Sequence, residues 1–360
     1  MKSFLIHIGT DFPAILFFFL LLWRIRRSET GEKSLVSQES SVSLRGIAAL
    51  SVLLYHLAPT TENGSLLPKF YSFGAGGLAV AFFFFLSGYG LQKQYILHGD
   101  SYWQSFLKKR IPNILIPLIL FVVIYRLTYF ALGKTYTFQN LISDIRIGIP
   151  FVAHSWYLIT ILLFYLFFWL MMTVLREHVF WMPIIACGWY LLYAFICIKL
   201  KYLMFWFDTA HLLPFGMLCA VHEQKILNAL NKKWIYYSVF AASFLSFFLV
   251  IPAFYSNGLT MSIQLYFILT ISRGFFFTTI VLLLQHKIKN DNPVLRYFGK
   301  ISLEIYLIHG LVFYLLRGDY YYLTNEPLYC LISLSIVILL ASILAPVDRF
   351  LLRSWKRIVK

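Results

Sequence analysis

Apolar runs separated by short polar segments follow one another along almost the whole chain. Most of these runs have about the length that a helix needs to cross the hydrocarbon core of a bilayer, roughly 20 residues. The pattern therefore predicts an all-α polytopic membrane helical bundle with eleven spans. The predicted spans lie near residues 4–23, 42–58, 73–91, 111–132, 156–175, 181–198, 203–221, 234–254, 262–284, 299–316 and 328–348.

One polar segment divides this series of spans. Residues 28–43 are rich in serine and glutamate and separate the first apolar run from the second. We interpret residues 1–27 as an additional N-terminal transmembrane span and residues 28–43 as a polar cytoplasmic linker. A ten-span core then occupies residues 44–348, and residues 349–360 form a basic cytoplasmic tail.

The basic residues indicate which side of the membrane each loop occupies. When the spans alternate, 22 of the 31 lysines and arginines lie in segments on one side and only 7 on the other. Short cytoplasmic loops carry the excess of Lys and Arg in membrane proteins. The asymmetry predicts a multi-pass protein of the plasma (inner) membrane, with an outside N-terminus and a cytoplasmic C-terminus.

Composition supports the membrane assignment and removes one alternative. The chain is 60% hydrophobic and only 13% charged, whereas a soluble domain carries about 25% charged residues. A net charge of +16 would suit a nucleic-acid partner, but the basic residues are spread over short loops between apolar runs. We therefore expect membrane lipid as the surroundings and no nucleic-acid partner.

Several kinds of chemistry have no sequence signal. The four cysteines lie within apolar runs without the spacing of metal ligands. The chain lacks the Gly-x-Ser-x-Gly, Walker, His-Glu-x-x-His and Gly-x-Gly-x-x-Gly patterns. The sequence thus gives no support for metal, nucleotide-hydrolysis or redox chemistry, and we expect no metal site.

The second apolar run carries a cation near its start and an imidazole near its end. Arg45 and His56 are eleven residues apart, which in an α-helix is three turns plus about 20°, so both side chains lie on one face. The rise between them is about 16 Å at ~1.5 Å per residue. This spacing is suited to a site that extends from the cytoplasmic surface into the membrane.

Five stretches, in the same order, resemble the acyltransferase family 3 membrane proteins. Each stretch alone is a weak signal, whereas five in register across residues 44–310 form a strong one. They are 44–56 (LRGIAALSVLLYH), 77–89 (GLAVAFFFFLSGY), 106–117 (FLKKRIPNILIP), 154–158 (HSWYL) and 299–309 (GKISLEIYLIH).

The resemblance implies transfer of an acyl group, commonly acetyl from acetyl-CoA, to a hydroxyl of a cell-envelope glycan or a related acceptor. One departure concerns the basic motif, where the family usually has a second arginine three residues after the first. Here Arg110 is followed by Asn113. An inactive family member is therefore an alternative, as is a transporter or flippase of glycan intermediates, although the repeats and interrupted spans typical of transporters are missing.

An acyl-CoA donor has phosphates that favour cations at the cytoplasmic face. The candidates are Arg45, Lys108, Lys109 and Arg110, together with Arg273, which lies mid-span where an ionisable group is costly. The structural alternatives are a topology signal for the lysines and Arg110, interfacial snorkelling for Arg45, and an ion pair with Asp208 or Glu304 for Arg273. Arg273 is also a candidate to stabilise an oxyanion.

His56 and Arg45 are the candidate catalytic residues, and His56 is the candidate base. A hydroxyl is a poor nucleophile near neutral pH, and imidazole has a suitable pKa to remove its proton. A covalent acyl-histidine intermediate is the other mechanism. The structural alternative is a buried histidine bonded to a carbonyl.

Further polar and aromatic residues are candidates for substrate binding. Interfacial or interhelical packing is the structural alternative for each of them. Asp208 is in addition a candidate to orient His56. The set is Ser87, His154, Trp156, Asp208, Tyr306 and His309. The acceptor, the acyl chain and the oligomeric state stay open at this point.

Overall fold

The computed structural model describes residues 2–28, 34–176, 178–256 and 262–358. The chain is 80% helical, and the described residues contain seven helices that are long and apolar enough to cross a membrane, or eight when one bent pair is counted as a span. The predicted all-α polytopic bundle is thereby confirmed.

The helices follow the apolar runs of the sequence closely. In order they are α1 (Lys2–Leu22), α2 (Gln38–Leu57), α3 (Leu67–Ser72), α4 (Ala75–Arg110), α5 (Pro112–Ala131), α6 (Phe138–Ile147), α7 (Trp156–Val174), α8 (Met182–Lys199), α9 (Leu212–Val221), α10 (Glu223–Leu230), α11 (Lys233–Ser256), α12 (Ile263–Lys287), α13 (Pro293–Lys300), α14 (Ser302–Leu316) and α15 (Glu326–Ile358).

Some predicted spans differ from simple crossings. Runs 73–91 and 111–132 fall in one stretch, Ala75–Ala131, where Gly99 has a non-helical φ of 50° and α5 begins only at Pro112. In run 203–221 the continuous helix is the short α9. Run 299–316 bends by 74° between α13 and α14. The number of eleven spans stays a prediction.

Glycine allows the central helices to touch backbone to backbone. A Cβ atom at Gly46 in α2 would overlap the Leu295 carbonyl of α13, and one at Gly299 would overlap the Val42 carbonyl of α2. Gly88 of α4 and Gly216 of α9 make the same kind of close contact. Small residues at crossings are the usual means of tight helix packing in membranes. These contacts fix α2 and α4, which carry most of the predicted site.

The N-terminal helix packs against the core. The Asp11 carboxylate of α1 accepts hydrogen bonds from the backbone N–H groups of residues 65–67 at the start of α3, at 2.8–2.9 Å. Farther along, the Asn292 side chain donates to the Leu20 carbonyl at 2.8 Å. Strand β1 (Ile25–Arg27), which follows α1, pairs antiparallel with β2 (Ile288–Asn290). The additional N-terminal helix is therefore fastened to the bundle at two levels.

Candidate active site

Three histidines from distant parts of the chain lie together near one end of α2. His56 is in the last turn of α2, His154 lies just before α7, and His309 is in the middle of α14. The ring centroids of His56 and His154 are 3.8 Å apart, those of His56 and His309 are 5.1 Å apart, and those of His154 and His309 are 4.9 Å apart. We call these three residues the histidine cluster.

His309 is the most deeply buried member of the cluster and is held by the backbone of its own helix. It has no exposed surface, and its Nδ1 lies 3.2 Å from the Ile305 carbonyl oxygen. Because a carbonyl only accepts, Nδ1 carries the proton and Nε2 has the lone pair. That Nε2 atom is buried without a hydrogen-bond partner.

His154 is held in an uncommon backbone conformation. Its φ angle is +64°, a region that non-glycine residues adopt rarely and at a cost in free energy. The Tyr306 hydroxyl donates to the His154 carbonyl at 2.7 Å. Gly310 leaves the space for this segment, since a Cβ there would come within 2.7 Å of Ala153. Tyr306 thus holds the backbone of His154 in place, and Gly310, one helical turn away, leaves space for it.

A cavity of about 870 Å³ leads from the opposite end of α2 toward the histidine cluster. At the end predicted to be cytoplasmic it is lined by Arg45 and Arg110, and at its inner end by Tyr157 and Tyr306. The ring centroids of these two tyrosines are 5.6 Å apart. The ring centroids of Tyr306 and His309 are 6.1 Å apart. The tyrosine pair therefore separates the cavity from the cluster, and His56 does not line the cavity itself.

Arg45 and Ser87 lie within this cavity. The Arg45 guanidinium donates to the Ser41 hydroxyl at 3.1 Å and to the Ser41 carbonyl at 3.3 Å. It lies within electrostatic reach of Tyr157, Tyr165 and Arg110. Ser87 and Tyr157 line this cavity together. The Arg45 cation thus faces the cavity about 16 Å along α2 from His56.

A side pocket of about 370 Å³ adjoins the cavity at the same end. Lys109, Arg110 and Lys356 line it together with Tyr102, and the Arg110 Nε donates to the Tyr102 hydroxyl at 3.1 Å. Arg110 and Asn113 line both spaces. Lys108 is exposed and lines neither.

An ion pair between Lys93 and Glu223 stabilises the entrance of the cavity. Lys93 donates to the Glu223 carboxylate at 3.1 Å, and the same carboxylate accepts from the Leu35 backbone N–H at 2.8 Å and from the Tyr89 hydroxyl. The Lys93 ammonium also donates to Ser34 at 2.6 Å. The linker before α2 is thereby tied to α4 and α10 at the cavity entrance.

Asp208 and Arg273 lie near each other in the structure. The Asp208 carboxylate accepts from the Tyr266 hydroxyl at 3.0 Å and is within electrostatic reach of Arg273. The Arg273 guanidinium approaches Gly77 near the start of α4, whereas Arg110 ends that helix. The geometry favours structural pairing for Asp208 over orientation of His56, and it places Arg273 far along α4 from the side pocket.

The structure brings together part of the predicted set. His56, His154, His309 and Tyr306 form one group, while Arg45, Arg110 and Ser87 share the cavity. Trp156 is buried and packs against Phe84 and Phe205. Sequence reasoning missed the meeting of the three histidines and the contributions of Tyr157 and Lys356, because helix packing decides which distant spans become neighbours.

The histidine cluster also has the donor set of a metal site. The nitrogen atoms that could bind an ion lie within 4.8 Å of one another, and imidazole suits zinc and other divalent transition metals. The His56 and His154 rings are tilted by 36° with their centroids 3.8 Å apart, so these two rings also contact each other directly. The sequence expectation of no metal site remains a prediction.

Fold and geometry together define a polytopic membrane protein in which a tyrosine pair separates a cation-lined cavity from a cluster of three imidazoles. The model of the Acyltransferase domain family matches residues 43–346. Since this match covers most of the chain, the protein belongs to that acyltransferase family and is a membrane acyltransferase. No curated protein and no solved structure matches the chain.

Proposed function

We propose that this membrane acyltransferase transfers an acyl group, commonly acetyl, from cytosolic acyl-CoA to a hydroxyl of a cell-envelope glycan or related acceptor. The observation that carries the proposal is the cavity that begins among cations and ends at the tyrosine pair beside the histidine cluster. The proposed setting is the plasma membrane, with the C-terminal tail in the cytoplasm.

The side pocket is suited to the nucleotide end of the donor. Lys109, Arg110 and Lys356 provide cations for phosphate groups, and the Tyr102 ring provides a surface for a base. Asn113 lies where the family usually has a second arginine, and Lys356 of α15 supplies a cation to the same pocket. This compensation supports a functional donor site over an inactive family member.

The pantetheine arm would extend along the cavity past Arg45. The distance from Arg45 to His56 along α2 is about 16 Å, which is on the scale of that arm. The thioester would then lie at Tyr157 and Tyr306, next to the histidine cluster. The Arg45 guanidinium is placed to hold the anionic end of the donor.

His56 is the base in this proposal. It removes the proton from the acceptor hydroxyl while the oxygen attacks the thioester carbonyl carbon. Collapse of the tetrahedral intermediate breaks the carbon–sulfur bond, and the proton on His56 passes to the leaving thiolate. The products are the acylated acceptor and free CoA, and His56 returns to its neutral form. In the acyl-histidine alternative, His56 itself attacks the carbonyl and passes the acyl group on.

The direct test is transfer of label from radiolabelled acetyl-CoA to isolated cell-envelope glycan by membranes containing the protein. His56→Ala should lower the rate at least ~100-fold, the usual contribution of a positioned base. The exposed residue His178 provides the matched control, and His178→Ala should retain the wild-type rate. Equal labelling with wild type, His56→Ala and membranes lacking the protein would reject the proposal and favour transport of a glycan intermediate.

The acceptor is identified by a second experiment. Mass spectrometry of the envelope glycans from cells with and without the gene should show one glycan that loses an acyl mass, and the same loss in cells producing only His56→Ala. A glycan profile unchanged in both would reject a glycan acceptor.

A further inference from the structure

The deepest histidine of the cluster has a fixed tautomer. Its Nδ1 is bonded to the Ile305 carbonyl, so its Nε2 is a buried acceptor that lacks a donor in the structure. Buried polar atoms are generally paired, and an unpaired one at a reaction centre indicates a partner that engages during function. His309 is thus a ready acceptor directed into the cluster.

A histidine that acts as a base needs an acceptor for its other nitrogen. One nitrogen of His56 must face the acceptor hydroxyl as a lone pair, and the other then carries a proton. In catalytic triads a carboxylate accepts that N–H group. Among the residues that the structure describes, the cluster contains three imidazoles and no carboxylate, and Asp208 is bonded to Tyr266 instead.

The ring separations show which neighbour fits this role. A hydrogen bond between the edges of two imidazoles places their centroids about 5 Å apart, given an N···N distance of about 2.9 Å. The His56 and His309 centroids are 5.1 Å apart, close to this distance, with the ring planes inclined by 27° and no hydrogen bond formed between them in the structure. The 3.8 Å between the His56 and His154 centroids is too short for such an edge-to-edge bond. His154 therefore supports the ring of His56, and His309 is placed to accept its N–H.

We propose that His309 is the positioning residue for His56, with Nε2 accepting the His56 N–H and thereby fixing the tautomer that removes the acceptor's proton. The inference rests on the proposed function. It assigns to a neutral imidazole the place that a carboxylate holds in a triad. His309 takes up no proton in this scheme, since the proton gained by His56 passes on to the leaving thiolate.

The kinetic test compares His309→Ala with His309→Gln in purified protein. His309→Ala should lower kcat about 100-fold without raising KM for acetyl-CoA, because His309 does not line the cavity. Added imidazole should restore activity at least about tenfold by occupying the vacated space. His309→Gln keeps an acceptor oxygen and should retain more activity than His309→Ala. Unchanged kcat, or a loss that neither imidazole nor glutamine reduces, would overturn the proposal.

Two measurements do not depend on turnover. Nitrogen NMR of the wild-type protein with ¹⁵N-labelled histidine in bilayers should show His309 protonated at Nδ1, and an Nε2-protonated His309 would overturn the proposal. One equivalent of bound zinc in the purified protein, lost from His309→Ala, would also overturn it, since Nε2 would then be a metal ligand. An inactive wild type with His309 protonated at Nδ1 would reject the proposed function, whereas an active wild type with an Nε2-protonated His309 would reject only the positioning role.

Discussion

The two ends of α2 lie in different environments. At the Arg45 end, the helix borders an open cavity and its side pocket, which are lined by cations of α4 and α15. At the His56 end, stacked histidine rings and hydrogen bonds to backbone carbonyls fill the space. The difference supports the proposal that donor binding and chemistry take place at opposite ends of one helix, with the tyrosine pair between them.

After the histidine variants described above, the largest expected effect is at the binding end. Arg45→Ala should lower kcat/KM for acetyl-CoA about 30-fold, because hydrogen bonds to charged groups contribute about 1.5–3 kcal/mol. Arg45→Lys should recover only part of this loss, since an ammonium lacks the planar fork of guanidinium. Steady-state kinetics in detergent measures both variants. The exposed Arg146 provides the control, and equal kinetics for Arg45→Ala and Arg146→Ala would contradict a donor-binding role.

The next effect tests the chemical end. Tyr306→Phe removes the hydrogen bond that holds the His154 carbonyl, and kcat should fall about fivefold to tenfold, as expected for one hydrogen bond of about 1 kcal/mol or slightly more. KM for acetyl-CoA should change little, because the ring that lines the cavity is retained. Tyr314→Phe, on the same helix, should have wild-type kinetics. A larger change in KM than in kcat would place Tyr306 in binding instead.

A smaller effect is expected at the side pocket. Lys356→Ala should raise KM for acetyl-CoA about threefold at low salt, and the difference should shrink at ~1 M salt as screening weakens exposed charges. Arg353, exposed on the same helix, supplies the matched control. If Arg353→Ala and Lys356→Ala gave the same KM, the tail would contribute only general positive charge.

The smallest effect is expected at the cavity rim. Glu223→Gln weakens the ion pair with Lys93 and the bond to the Leu35 N–H, at a cost of about 1 kcal/mol in the free energy of unfolding. The thermal midpoint in detergent should fall by a few degrees, while kcat stays near the wild-type value. Glu39→Gln, at an exposed site in α2, should leave the midpoint unchanged. A loss of kcat without a change in midpoint would mean that the rim takes part in turnover.

The sequence predicts the helices well and their neighbours only in part. The apolar runs and the spacing of Arg45 and His56 are local features, so periodicity and helix geometry reveal them. The resemblance brings in His154 and His309, but assigns them to the acceptor and not to one cluster with His56. Their meeting depends on the bend before α14 and on the left-handed backbone of His154, which no local pattern encodes. Lys356 escapes notice for the same reason, since a basic tail looks like a topology signal.

The fastening of α1 has a mechanical consequence. This helix lies outside residues 43–346, which match the acyltransferase family, yet Asp11 holds the segment at 65–67 and the Leu20 carbonyl holds Asn292. The two attachment points are nine residues apart, or about 14 Å along the helix axis. A movement of residues 65–67, which follow the His56 end of α2, would therefore be transmitted through α1 to Asn292 at the start of α13. The accessory helix α1 thus connects the His56 end of α2 mechanically to the start of α13.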